Sequence, residues 1–160
     1  MSTNTPDFHN FTDIEGARVA IVTAKWNSRY TYPLRDGAVK TLQEAGLEPD
    51  DICCFEVPGA VELTFAASQL IEQSLFDAVI VFGCVVRGDT PHFDYVCQSV
   101  TQGVTALNAD CDTPVIFGLL TVNNEEQAQE RIGGAHGHKG IEAAQTALDM
   151  IEFKRAASRL

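Results

Sequence analysis

Asp77 to Val86 reads DAVIVFGCVV, ten residues with one charge at the start and no alternation of polar and apolar positions. A strand this uniformly apolar has to be buried on both faces, which is the situation of a central strand in a parallel sheet covered by helices. Three further runs carry the same β-branched, apolar signal: RVAIVT (18–23), ICCFEV (52–57) and PVIFGLL (114–120). Between them the spacing turns helical. Leu34, Ala38, Leu42 and Ala45 precede a stop at Gly46; Val61, Phe65, Leu70 and Ile71 follow Pro58-Gly59; Phe93, Val96, Cys97, Val100, Val104 and Leu107 mark a third helix. An Asn-capped helix over 124–132 and a terminal helix from Ile141 to about Ala157 complete the order β-α-β-α-β-α-β-α-α. Strict alternation of this kind predicts an α/β protein, a three-layer αβα sandwich around a four-stranded parallel sheet with right-handed crossovers. With 160 residues, 45% of them hydrophobic, the chain can fill one such core and not two. Residues 1–17 lack periodicity and are expected to form an extended N-terminal arm, leaving 18–160 as a single domain.

Charge narrows the partners. Eleven Lys and Arg against 22 Asp and Glu give a net charge of −11, so a nucleic-acid backbone or an anionic membrane would be repelled. No run approaches the length of a membrane span and the polar start has no signal-peptide core, so a cytoplasmic location is expected. Five cysteines make no CxxC pair in a chain with a sufficient core, and are expected to be reduced and mostly buried. His136 and His138 lack a well-spaced third ligand, so no metal is expected. Eighteen of the acids lie between residues 41 and 153, where the only strong bases are Arg87, Arg131 and Lys139. Each of the three is flanked by glycine, in VRGDT, ERIGG and HKGIE. Any one of them is explained by an ion pair; together they suggest positions where a backbone approaches an anion closely.

In a parallel sheet of this type ligands bind beyond the carboxyl ends of the strands. Lys25-Trp26-Asn27 follows the first strand, Pro58-Gly59-Ala60-Val61-Glu62 the second and Arg87-Gly88-Asp89-Thr90-Pro91-His92 the third, so three loops meet at one edge. The third leads into a helix whose first-turn N–H groups, with the Thr90 hydroxyl, could cradle a phosphate, or could simply be capped by Asp89 or Thr90. His92 falls in that first turn, where the helix dipole favours a neutral imidazole able to shuttle protons; a surface or capping histidine is the plainer reading. Trp26 could stack on a heterocycle, although most lone tryptophans belong to a core or an interface. Glu62 could accept hydrogen bonds from a polyol or offset its own helix dipole.

The motifs KWN, VPGAVEL, GCVVRGDTPHFDYVC, PVIFGLLT and NNEEQAQERIGGAHGHKGIEAA, in that order from about Arg18 to Lys154, resemble the lumazine synthase family. The resemblance implies a flavodoxin-like fold and a condensation of 5-amino-6-(D-ribitylamino)uracil with 3,4-dihydroxy-2-butanone 4-phosphate through an imine, phosphate elimination and ring closure. No cofactor is implied. It implies homopentamers, in some members twelve of them in a 60-subunit shell, with riboflavin synthase as a partner. By the same resemblance Trp26 stacks on the pyrimidine with Asn27 beside it, Ala60, Val61 and Glu62 hold the ribityl chain, and Val85 and Val86 offer backbone contacts to the pyrimidine. Gly88, Asp89 and Thr90 match the phosphate loop and His92 the proton-transfer residue. Phe117, Arg131 and Lys139 match groups contributed by the neighbouring subunit, Arg131 on the phosphate. Two positions depart from the GTKxGNK of many members, a lysine being replaced by Ala135 and an asparagine by His138. Weaker or more pH-dependent phosphate binding is therefore expected, with protonated His136 or His138 standing in for the missing cation. A flavin-binding module without chemistry, or a shell protein that has lost activity, would carry many of the same motifs.

Overall fold

A computed structural model of the chain describes residues 6, 8 and 10–160. Four parallel strands, β1 (Val19–Ala24), β2 (Ile52–Val57), β3 (Ala78–Val86) and β4 (Val115–Val122), form one sheet in the order β2-β1-β3-β4. The intervening helices are α1 (Ser28–Glu44), α2 (Leu63–Glu72) and α3 (His92–Asp110); α4 (Glu125–Gln129) and α5 (Lys139–Ala157) follow β4. Strand periodicity divides the core in two. Val19, Ile21, Ile80 and Phe82 point to one face and pack with Leu34, Ala38 and Leu42 of α1 and Ala144, Leu148 and Ile151 of α5. Ala20, Val22, Val79 and Val81 point to the other, against Leu63 and Ala67 of α2 and Val100 and Val104 of α3. The three-layer αβα architecture with a four-stranded parallel sheet is therefore as expected, and its strand order matches the flavodoxin-like pattern. β3, apolar throughout, is buried along its first seven residues. Each large aliphatic side chain so buried is worth about 1.5–3 kcal/mol.

Of the arm expected over 1–17, residues 1–5, 7 and 9 lie outside the described residues. Nearer the sheet, Ile14 and Ala17 are buried in the core, and Glu152 Oε1 accepts from the backbone N–H groups of Thr12 and Asp13 at 2.6 and 2.9 Å. The helix expected over 124–132 ends at Gln129, although Asn124 does cap it, its Oδ1 accepting from Gln127 N. Ile132 instead begins a small antiparallel pair, β5 (Ile132–Gly134) and β6 (Gly137–His138). Gly133 at φ 111° and Gly137 at φ 76° permit the reversal, a geometry open to glycine and costly for other residues. The helix expected from Ile141 starts two residues earlier, at Lys139. The thiols are less buried than expected. All five are free, but only Cys84 is fully buried, and Cys54 is exposed on β2, where the sheet ends without a further strand among the described residues.

Candidate active site

The loops after β1, β2 and β3 converge because the three strands are parallel neighbours whose carboxyl ends lie on one edge of the sheet, β3 running three residues further than β1 and β2. Lys25 N and Trp26 N donate to the carbonyls of Val57 and Pro58 at 2.8 and 3.0 Å, so the first loop is zipped to the second. Asn27 then adopts a left-handed backbone, φ 61° and ψ 39°, and its Nδ2 donates to the carbonyl of Cys84 at 2.7 Å, clipping the same loop to β3. Trp26 is left projecting, 74% exposed in the single chain.

A cleft of about 300 Å³ opens between these loops. Trp26 and Asn27 form one wall, Ala60, Val61 and Glu62 a second, and Val85, Val86 and His92 the remainder. Eight of the residues singled out from sequence thus meet in one space. Gly59, in the second of the expected site loops, also lines it, and so do Cys84 and Val96, which were missed. Cys84 and Val96 read as core residues of a strand and a helix, and only the depth of the cleft brings them to its floor. Burial first, and then the charge of Glu125, pushes the Cys84 thiol up to about 12. It stays protonated near neutrality and serves as an apolar lining rather than a nucleophile.

Glu62 takes the capping role at one of its oxygens, Oε2 accepting from Gly59 N at 2.9 Å. The loop 88–91 is open: Gly88, Asp89 and Thr90 are exposed, and the Thr90 Oγ1 accepts from the N–H of His92 at 3.4 Å. Phe117, Arg131 and Lys139 do not line the cleft. Phe117 is 43% exposed on β4. Arg131 Nη1 donates to the carbonyl of Gln127 at 2.7 Å, and Lys139 Nζ donates to both carboxylate oxygens of Glu142 at 3.0 and 2.8 Å.

His138, expected as a substitute cation, is placed in the single chain as a helix cap. Its Nδ1 accepts from Ile141 N at 3.3 Å as the N-cap of α5, which requires the nitrogen to be unprotonated. Burial holds its imidazole below the ordinary histidine value, opposed by a backbone hydrogen bond and the charge of Glu142. His136 Nε2 lies 3.6 Å from Glu130 Oε2.

The profile of 6,7-dimethyl-8-ribityllumazine synthase matches residues 16–155. The chain belongs to this family. A 6,7-dimethyl-8-ribityllumazine synthase of Porphyromonas gingivalis is 52% identical over 156 residues, covering 92% of this chain and 97% of its own. One from Parabacteroides distasonis is 52% identical over 147 residues, covering 92% of each chain. A third, from Bacteroides fragilis, is 54% identical over 136 residues, 85% of this chain and 95% of its own. As a lumazine synthase family member the chain is an enzyme, a transferase of riboflavin biosynthesis. The matched residues include the three loops of the cleft, β4 and the α4–β6 segment.

Proposed function

We propose that this enzyme condenses 5-amino-6-(D-ribitylamino)uracil with 3,4-dihydroxy-2-butanone 4-phosphate to 6,7-dimethyl-8-ribityllumazine, releasing phosphate and water, in the cleft at the carboxyl edge of the sheet. The observation that carries it is the meeting of Trp26, Ala60, Val61, Glu62, Val85, Val86 and His92 around one 300 Å³ space, with the exposed loop 88–91 at its border. Trp26 stacks on the pyrimidine, with Asn27 holding it in place, and the Val85–Val86 backbone binds the ring edge. Ala60, Val61 and Glu62 receive the ribityl chain. The phosphate rests on Gly88, Asp89, Thr90 and the start of α3, and is completed by Arg131 of a neighbouring copy.

The substrate amine attacks the ketone carbonyl and water leaves, giving an imine. Phosphate departs with the bonding electrons as a proton is lost from the adjacent carbon. The ribityl-bearing nitrogen then closes the ring with loss of a second water. Each step moves a proton and none needs a redox partner. Positioning supplies most of the rate, since effective molarities of ~10⁵–10⁸ M follow from holding two reactants in attack geometry; His92, at the mouth of the phosphate loop, moves the protons. Phe117, Arg131 and Lys139, outside the cleft of their own subunit, are read as complementing a neighbour's cleft in a cytoplasmic homopentamer.

The test is turnover of the two substrates by the purified chain, followed by lumazine absorbance. His92→Ala should lower kcat by at most ~10²–10⁴-fold with KM values largely kept. Riboflavin binding without turnover in the wild type would overturn the reading, and full kcat in His92→Ala would remove His92 from proton transfer.

A further inference from the structure

Of the three glycine-flanked bases in the acidic stretch, Arg131 and Lys139 have places in the proposed site and Arg87 has none. Arg87 directly follows β3, and its backbone N–H continues the β3–β4 ladder by donating to the carbonyl of Val122 at 2.8 Å. Its side chain is engaged on three sides. Nε donates to Asn123 Oδ1 at 3.1 Å, Nη2 donates to Asp94 Oδ1 at 3.2 Å, and the guanidinium carbon stands 4.2 Å from the centre of the Phe93 ring. Asn123 directly follows β4, and Phe93 and Asp94 belong to the first turn of α3. One planar group therefore joins the ends of two strands to the start of the helix, and the chain between its anchors is Gly88 to His92.

That segment has little else to fix it. Gly88, Asp89 and Thr90 are exposed, and a Cβ placed on Gly88 would meet nothing within 4 Å. The frame also reaches Arg131, because Asn123 N donates to Gln127 Oε1 at 2.8 Å and the Gln127 carbonyl accepts from Arg131 Nη1 at 2.7 Å.

We infer that Arg87 is a positioning residue, which fixes loop 88–91 and the first turn of α3 so that the helix amides and His92 meet the substrate phosphate, and that it does not itself bind that phosphate. Asp94 and Asn123 already hold the guanidinium in this orientation, and the Asp94 carboxylate beside it offsets its charge toward a second anion. Lysine cannot replace it, because a single ammonium does not form a planar fork that also stacks on a ring. The inference rests on the proposed assignment of loop 88–91 to phosphate.

The experiment compares wild type, Arg87→Lys, Arg87→Gln, Asp94→Asn and the Arg87→Gln/Asp94→Asn double variant. It reads inorganic phosphate affinity by calorimetry and KM for each substrate. A positioning role predicts that every single variant, the lysine one included, weakens phosphate binding by about five- to tenfold, with KM for the phosphate substrate rising in step. KM for the pyrimidine, bound at Trp26 and Val85, should stay unchanged, which a general loss of fold would not produce. The double variant should be no worse than either single one, as expected for two groups acting through one contact. Asp94→Asn keeps the arginine, so it carries the test if an Arg87 variant fails to assemble. Phosphate affinity within twofold of wild type in Arg87→Lys, no loss in Asp94→Asn, or losses that multiply in the double variant would each overturn the inference. A wild type that binds no phosphate would overturn the loop assignment and the inference with it; normal wild-type binding with an unaffected lysine variant overturns the inference alone.

Discussion

His138 ties its charge state to the order of the segment that carries Lys139, since the nitrogen that caps α5 must be unprotonated to accept from Ile141. Burial holds the folded imidazole below the 6.5 of a free one, so the unfolded chain takes up the proton first. The contribution to stability is therefore fully present above about pH 6.5 and is lost as pH falls through the lower, folded value. His138→Asn supplies a cap that does not titrate. The fall in thermal midpoint between pH 7.5 and pH 5.5 should be larger in wild type than in this variant, and parallel falls would mean that another group is responsible. The residue scale is also where sequence reasoning separated least. Glu62, Arg87 and His138 were each noticed, yet whether a carboxylate caps or binds, and whether a base holds a loop or an anion, depends on the partner the fold brings within about 3 Å. Spacing along the chain does not contain that information.

Elements were legible wherever one periodicity runs for six residues or more. The four strands are within two residues of expectation, and β2 matches at both ends. β5 and β6 were not seen, because Ile132-Gly133-Gly134 followed by Gly137 reads as a helix stop and the pairing is too short to leave a pattern. Their place is set by packing. Gly140, just inside α5, lies against α1 so closely that a Cβ there would stand 2.1 Å from the carbonyl oxygen of Leu34 and 2.8 Å from its Cα. These are backbone atoms and cannot rotate away. Gly140→Ala should therefore cost about 1–3 kcal/mol in chemical denaturation and, by moving the start of α5, reduce activity through the adjacent Lys139. An unchanged denaturation midpoint would show that the two helices can separate without loss.

At the scale of the whole molecule, one chain holds two unlike halves of the proposed site. The Trp26 cleft is at the carboxyl edge of the sheet, and Phe117, Arg131 and Lys139 are not among its lining residues. A cyclic ring with head-to-tail contacts sets two different faces together at every interface. Trp26→Ala and Arg131→Ala should each be poorly active alone, the arginine change costing about 1.5–3 kcal/mol as a lost charged hydrogen bond. Unfolded together and reassembled as mixed rings, they should show more activity than either refolded by itself, because some interfaces then pair two intact halves. Demonstrated co-assembly with no gain would place the whole site within one subunit.

The sequence by itself determined the layer architecture, the sheet's parallel sense and the edge that carries the site, because an unbroken apolar strand can be covered only by helices on both faces and because the strand-ending loops of a parallel sheet share one edge. The family motifs added the reaction and the names of the residues. Only the tertiary structure decided that Asn27 clips its loop to Cys84, that Cys84 and Val96 floor the cleft, that Arg87 spans three elements and that His138 is a cap. Those are contacts between positions from a few to tens of residues apart. They arise when separate elements pack, and they depend on approach within hydrogen-bonding distance, which no local pattern of residue types encodes.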